Sequence, residues 1–456
     1  MDSTETYCGA MAADALTGET TELLQALIRN RCVNDGSPDS GFESRNADEL
    51  EAFLAGTGLD VARYEARPGR ASVVARIEGS DPTAPALCLM GHTDVVPVSP
   101  EGWSHDPFGG ELIDGEVWGR GAIDMLNLTS SMAVAFRHLA RSGFRPRGDL
   151  IYFGVADEEA GAVWGAEWMF EHHPDVIDAD YCVTELGGWS TVDAHGQRHV
   201  TVNIGEKGMA WRKLRVTGTP GHGSMPYGAD NALVKAAAIV NRLADYRPAP
   251  QISDLFHQQV ASMNMPEELR ADLVDPQRID AALETLPVPI ARSCHALTHT
   301  TLSPNVARSG QKTNVIPDVV DVEVDIRTVP GTSHADVLAM LHDALGELAT
   351  GIEISDLQNS EASICGTDNA LWRTISKHTQ AVYPGATIVP GMVVGGTDAR
   401  FYRYRGRVAY GAGLFSPGMD MAMFGSRFHG HDERIDVESL RLATEFWIGI
   451  ARDLVG

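Results

Sequence analysis

The sequence predicts an α/β domain interrupted by an inserted α+β domain, and three observations carry that prediction. Short apolar runs alternate with amphipathic helical stretches over the first 207 residues. A nine-residue polar–apolar alternation at 319–327 marks a half-exposed strand of a different kind, and signals of the first type return after about residue 358. Alternating strands and helices point to a largely parallel sheet, whereas strict alternation points to an antiparallel sheet with one solvated face. The expected division is 1–207 with 358–456 for the first domain and 208–357 for the second.

A first helix is expected from about Glu19, where Leu23, Leu24, Leu27 and Ile28 recur at helical spacing. Strands follow at 72–77 and 87–90, a helix at 128–139, a buried strand at 150–155, a helix at 162–170 and a short strand ending at Glu185. In the second domain, 211–216 alternates, 231–243 is an Ala-rich amphipathic helix, 334–348 a helix and 352–354 a short strand. Between them, 247–295 is polar, irregular and partly helical. A helix near 370–382 belongs to the returning segment. There is no fixed-period repeat and no low-complexity tract.

With 456 residues, 43% of them hydrophobic and 21% charged, the chain is long enough for two or three domains and is neither disordered nor fibrous. Its net charge of −26 would repel a phosphate backbone, so nucleic acid is excluded as a partner. An anionic substrate would need a local cationic pocket. The six cysteines form no C-x-x-C pair and read as free, buried thiols of a reducing compartment. No basic-then-apolar leader and no apolar run near the ~20 residues of a membrane span is present, so a cytoplasmic protein without a membrane partner is expected.

Chemistry concentrates where strands end, which is where α/β sheets place functional groups. Gly91-His92-Thr93-Asp94-Val95-Val96-Pro97 sets a His and an Asp two apart after an apolar strand, so both side chains point to one side. An imidazole there can take a metal while the carboxylate fixes its tautomer; a hydrogen-bonded loop is the alternative. In Gly119-Arg120-Gly121-Ala122-Ile123-Asp124-Met125, Asp124 stands at a helix entrance, where an N-cap is the competing role. Asp157-Glu158-Glu159 puts three anions in a row after a strand, which a cation or an exposed turn would explain. Glu185 ends another strand, and His429 and His431 lie near the C-terminus. Together these supply the ligand types for two divalent metals about 3.5–4 Å apart, with zinc favoured and manganese or cobalt admissible.

These blocks, in this order, resemble the signatures of the superfamily of co-catalytic zinc hydrolases that includes aminoacylase, acetylornithine deacetylase, succinyl-diaminopimelate desuccinylase and glutamate carboxypeptidase. The likeness extends to Gly218-Thr219-Pro220-Gly221-His222-Gly223-Ser224, Asn314-Val315-Ile316-Pro317 and Gly395-Gly396-Thr397-Asp398-Ala399-Arg400, so it runs from about residue 20 to the end. The resemblance implies a zinc-peptidase-like catalytic domain carrying a ferredoxin-like lid and dimerisation domain. It implies that His92 and Glu185 hold one metal, Glu159 and His429 the other, and Asp124 bridges them, with Asp94 orienting His92.

Glu158 then falls on the general base that takes a proton from a metal-bridged water. His222 matches a histidine that polarises the scissile carbonyl, commonly from the partner of a homodimer, while Asn314 and Arg327 match positions that hold the substrate's free carboxylate. By itself, Arg327 would read as a cross-strand ion pair. The sequence departs from the family in Leu126-Asn127 after the bridging Asp and in the long stretch 247–295. The function implied is a metallohydrolase of the aminoacylase or carboxypeptidase type, cleaving N-acyl amino acids or short peptides at an amide bond beside a free α-carboxylate. A dipeptidase of the same superfamily and a non-catalytic metal-dependent binding protein are the alternatives.

Overall fold

The computed structural model describes residues 3–193 and 195–456, with side chains from Ala13 onward. In chain order, β1 (Val61–Arg67), β2 (Arg70–Ile77), β3 (Leu87–His92), β4 (Leu150–Val155), β5 (Tyr181–Thr184) and β6 (Arg198–Glu206) come first. A separate sheet uses β7 (Gly208–Thr217), β8 (Thr301–Ser309), β9 (Val319–Thr328) and β10 (Glu353–Ser360). Then β11 (Thr387–Val393) and β12 (Val408–Gly411) return to the first. The helices that matter below are α1 (Ser3–Arg29), α2 (Leu126–Arg141), α3 (Ala232–Asp245), α4 (Asp254–Ala261), α5 (Glu267–Leu273), α6 (Ile279–Leu283), α7 (Val288–Thr298), α8 (His334–Leu345), α9 (Ala370–Val382), α10 (Met421–Arg427) and α11 (Val437–Val455).

The large sheet runs β1-β2-β4-β3-β5-β12-β6, with β11 also paired to β6. Its centre is parallel: β3 pairs with both β4 and β5, and β12 with β5. At one edge β11 joins β6 in parallel, but the β1-β2-β4 flank is antiparallel, as is the contact of β12 with β6, which a largely parallel expectation did not anticipate. The reason is local: β1 and β2 are joined by a tight turn at Gly69, φ +88°, and so short a connection can only return the chain antiparallel. The central strands are buried on both sides, with α1, α2 and α11 packed together on one face and Phe170, Phe401 and Tyr402 on the other. Close packing of α2 on β3 depends on Gly91, where a Cβ would lie 2.5 Å from Thr129 Oγ1 and 2.9 Å from its Cα.

The second sheet has the order β8-β9-β7-β10, antiparallel throughout, in a β-α-β-β-α-β chain order. That is the ferredoxin-like arrangement. On β9, buried Val320, Val322, Val324 and Ile326 alternate with more open residues, and they meet Ile239 and Leu243 of α3 and Val337 and Leu341 of α8. Asn231 caps α3, accepting from Leu233 N at 2.9 Å, and a Ser333–Asp336 capping box starts α8.

Three segments differ from the sequence expectation. The first helix begins at Ser3, in an Ala-containing stretch with helical propensity but no apolar stripe to announce it. The helix expected at 162–170 is only Ala166–His172, because Asp157, Gly161 and Ala162 all take positive φ. The stretch 247–295 forms α4 to α7, and Phe256, Val260, Leu283 and Leu297 join the core of the large domain rather than that of the small sheet. Cys32, Cys88, Cys182 and Cys294 are buried free thiols and Cys365 is partly open; Cys8 lies outside the described side chains. No helix among the described residues is long and apolar enough to cross a membrane.

Candidate metal centre

Three adjacent parallel strands deliver polar residues at or just beyond their ends to one place: β3 ends in His92, β4 leads into Glu158 and Glu159, and β5 into Glu185. Asp124 enters from the loop before α2. It is not the cap of that helix; α2 starts at Leu126 with Met125 in the cap position, which leaves the Asp124 carboxylate for other partners. His429 comes from the segment after α10, in a left-handed backbone conformation with φ 53°.

The two histidines flank that carboxylate. His92 Nε2 lies 3.2 Å from Asp124 Oδ1 and 3.5 Å from Glu185 Oε2, while His429 Nε2 lies 2.8 Å from Asp124 Oδ2 and 3.6 Å from Glu159 Oε2. The result is two triads, His92–Asp124–Glu185 and Asp124–Glu159–His429, each with ligand atoms within 4.8 Å of one another. Imidazole with carboxylate is a donor set for a divalent transition metal. Glu159 Oε1 is buried without a hydrogen-bond partner among the described residues, which a cation would satisfy. The residues fit a pair of divalent cations sharing Asp124.

Behind the ligands, Asp94 acts as a fastener. Its carbonyl oxygen sits 3.0 Å from His92 Nδ1, and its carboxylate is farther, at 3.6 Å, so the backbone makes the closer contact with the ring. The carboxylate instead accepts from the backbone N–H groups of Glu158 at 3.2 Å and Glu159 at 3.1 Å, and from Asn34 Nδ2 at 2.8 Å. One Asp therefore ties the β3 end to the β4 end. Glu158 belongs to neither triad and lines the open cavity beside them.

Electrostatics follow from packing anions and imidazoles together out of water. Burial pushes the Glu158 and Glu185 carboxyls well above the carboxylate range, helped by the neighbouring charge of Glu185 on Glu158 and of Asp124 on Glu185. Burial opposes charge on His429, yet Asp124 and then Glu159 lift it to about 10. Burial likewise opposes charge on His92, and Asp124 and Glu185 raise it well above the imidazole value.

Of the three consecutive anions, Asp157 serves a different purpose. Arg70 Nη2 donates to Asp157 Oδ1 at 2.6 Å, and Arg70 Nη1 to Glu43 Oε1 at 2.5 Å, with all three side chains at most 5% exposed. Asp157 Oδ2 also accepts from Trp164 N at 2.8 Å, which fixes the turn carrying Glu158 and Glu159. A second buried pair, Arg120 Nη1 to Glu433 Oε2 at 2.5 Å, supports Asp124, because Glu433 Oε1 accepts from Ile123 N and Asp124 N. Burial moves Glu433 up to about 7 against the pull of Arg120. Arg70 and Glu43 were left unassigned by the sequence; an Arg opening an otherwise largely apolar strand was the only signal. Arg70→Met is expected to destabilise the fold by about 3–5 kcal/mol, since it strands two buried carboxylates, measured as the denaturant midpoint of the metal-free protein.

The remaining candidates separate. Arg327 lines the cavity, with Nε donating to Asp325 Oδ1 at 2.8 Å and its guanidinium 5.5 Å from the Trp211 ring centroid. Its Asp325 pair lies along one strand, not across two. His222 and Asn314 are exposed on the small ribbon Gly221–His222/Val315–Ile316, and neither lines the cavity. His431 is stacked over Gly102, away from both triads. Leu126 is buried in the core and does not reach the cavity, so the departure from the family at that position leaves the pocket wall unaltered.

Fold and site together define a metal-dependent hydrolase acting on peptide or amide bonds, built on an α/β domain with a ferredoxin-like insert. The chain belongs to peptidase family M20/M25/M40, whose family model matches residues 88–453. It is 27% identical over 393 residues to N-fatty-acyl-amino acid synthase/hydrolase PM20D1 of Xenopus tropicalis, covering 83% of this chain and 74% of that one. It is also 27% identical over 436 residues to aminoacylase-1 of Sus scrofa, covering 93% of each. Among solved structures, the M20 metallo-carboxypeptidase of Sulfolobus solfataricus superposes with a TM-score of 0.71 at 18% identity, covering 96% of this chain and 99% of that one.

Proposed function

We propose that this protein hydrolyses N-acyl amino acids bearing a free α-carboxylate, with Glu158 as general base. The observation that carries the reading is the pair of triads sharing Asp124, with Glu158 beside them and belonging to neither. The bound cations, zinc by donor type, would polarise the scissile carbonyl and acidify the attacking water. Glu158 takes a proton from that water and returns it to the leaving nitrogen. The C–N bond breaks, and the products are a carboxylic acid and a free amino acid. His92, Glu185, Glu159, His429 and Asp124 hold the cations, and Asp94 keeps His92 and the Glu158–Glu159 turn in register.

Arg327 is the grip for the α-carboxylate. Asp325 accepts from Nε and Nη2, leaving Nη1 without a hydrogen-bond partner among the described residues. Its setting supplies the local positive charge that a chain of net charge −26 needs for an anionic substrate. His222 and Asn314 reach a neighbouring site in a homodimer built through the lid. That arrangement is supported by exposed apolar residues beside them, with Met225 71%, Tyr227 103% and Val234 68% exposed. Residues 1–207 with 358–456 form the catalytic domain and 208–357 the lid, with the α4–α7 segment leaning back onto the catalytic core. A cytoplasmic setting is supported by the free thiols.

The test is a panel of N-acyl amino acids and dipeptides with zinc-, manganese- or cobalt-loaded protein. Turnover of dipeptides alone would replace this reading with a dipeptidase. Arg327→Ala is expected to raise KM roughly tenfold or more for carboxylate substrates, the loss of a charge-assisted pair, and to leave the corresponding α-amides unaffected. Equal damage to both would refute the grip.

A further inference from the structure

The cavity that holds Asp124, Glu158, Glu159, Glu185 and His429 continues far beyond them, to a volume of about 1800 Å³. An ordinary small-ligand pocket is roughly 300–1,000 Å³, so an acetyl group and one amino acid would leave much of it empty. The extra wall comes from the α4–α7 segment, through Met263, Met265, Pro289, Ile290 and Leu297. The apolar lining also includes Met392 of β11 and Met421 and Phe424 of α10.

The composition of this wall is selective. Residues 254–298 contain ten charged side chains of the Asp, Glu, Lys and Arg types, and none of them lines the cavity. Charge is placed outward, and the segment's inward surface is uncharged, its apolar residues interspersed with Gln259, Ser262, Asn264 and Ser293. Several lining residues keep open apolar surface, including Ile290 at 40% and Met421 at 49% exposed, surface that a bound apolar group would cover. The wall is also anchored. Buried Lys207, at the junction of β6 and β7, donates to Ala296 O and His299 O at 2.7 Å each and holds the C-terminal end of α7.

Resting on the hydrolase reading above, we infer that the α4–α5 loop and α7 form an acyl-chain wall and that the substrate's acyl group is a medium- to long-chain aliphatic. The carboxylate end sits at Arg327, the amide at the metal triads, and the hydrocarbon tail runs along Met263, Met265 and Ile290. The methionines suit a tail of variable length because their side chains repack at little cost.

The test uses metal-loaded protein with N-acetyl-, N-octanoyl- and N-dodecanoyl-phenylalanine, reading kcat/KM and, separately, quenching of tryptophan fluorescence, since Trp189 and Trp211 line the cavity. The wild type should favour the longer chains. Ile290→Asp should lower the dodecanoyl-to-acetyl ratio of kcat/KM by about tenfold, the transfer free energy of one to two methylenes. Val288→Asp makes the same change on the same helix, but Val288 is 60% exposed and does not line the cavity, so the ratio should hold. A wild type that prefers the acetyl compound, or equal effects of the two variants, overturns the wall and leaves the hydrolase reading standing. Chain-length-dependent quenching without hydrolysis does the reverse.

Discussion

Glu158→Gln is expected to lower kcat by about 10²–10⁴-fold, the usual contribution of a positioned acid–base group, while the metal content stays at the wild-type value. Glutamine keeps the size of the side chain and removes only its ability to carry a proton. The backbone at this position is held independently, through Glu158 N to Asp94 Oδ1 at 3.2 Å, so the exchange leaves the turn in place. The side chain is outside both triads, so no ligand is lost. Initial rates on an N-acyl amino acid, paired with elemental analysis of dialysed protein, separate the two properties. Undiminished turnover would remove Glu158 from the reaction, and loss of metal would make it a ligand instead.

The legible part of this site is the part written locally. A buried apolar strand running into His, Asp or Glu is visible in the one-dimensional chain: β3 and β4 carry that mark over six residues each, and β5 carries a shorter version of it over four. The strand order that places the three ends side by side is not encoded in any one segment. It arises from parallel pairing of β3 with strands that lie about sixty and ninety residues downstream in the sequence. The same limit explains why Asp157, first of the trio Asp157-Glu158-Glu159, was left without a role: it is claimed by Arg70, eighty-seven positions earlier. Likewise Glu433 received no role from the sequence, although its pairing with Arg120, 313 positions away, positions the backbone of Asp124. The α4–α7 segment failed for a third reason. Its apolar residues are split among short helices, so no stripe is long enough to reveal that they pack with the large core rather than with the sheet they follow.

Asp124→Ala should abolish the binding of both cations, whereas His429→Ala should weaken only one position. The distinction follows from how the donors are shared. Oδ1 of Asp124 faces His92 and Oδ2 faces His429, so a single truncation reduces each triad to two protein ligands, His92 with Glu185 and His429 with Glu159. Two protein donors fall short of the three or four that protein zinc sites use. Removing His429 touches only the second triad, because the His92–Asp124–Glu185 group is complete without it. Titrating metal-stripped protein by calorimetry, with circular dichroism to establish that the fold persists, reads the stoichiometry directly. Asp124→Asn guards against collapse of the emptied space: it preserves volume but replaces an anionic bridge with a neutral amide, so it too should fail to hold either cation tightly. Retention of wild-type stoichiometry by both Asp124 variants would mean that the carboxylate does not bridge, and the two triads would then have to be treated as independent groups.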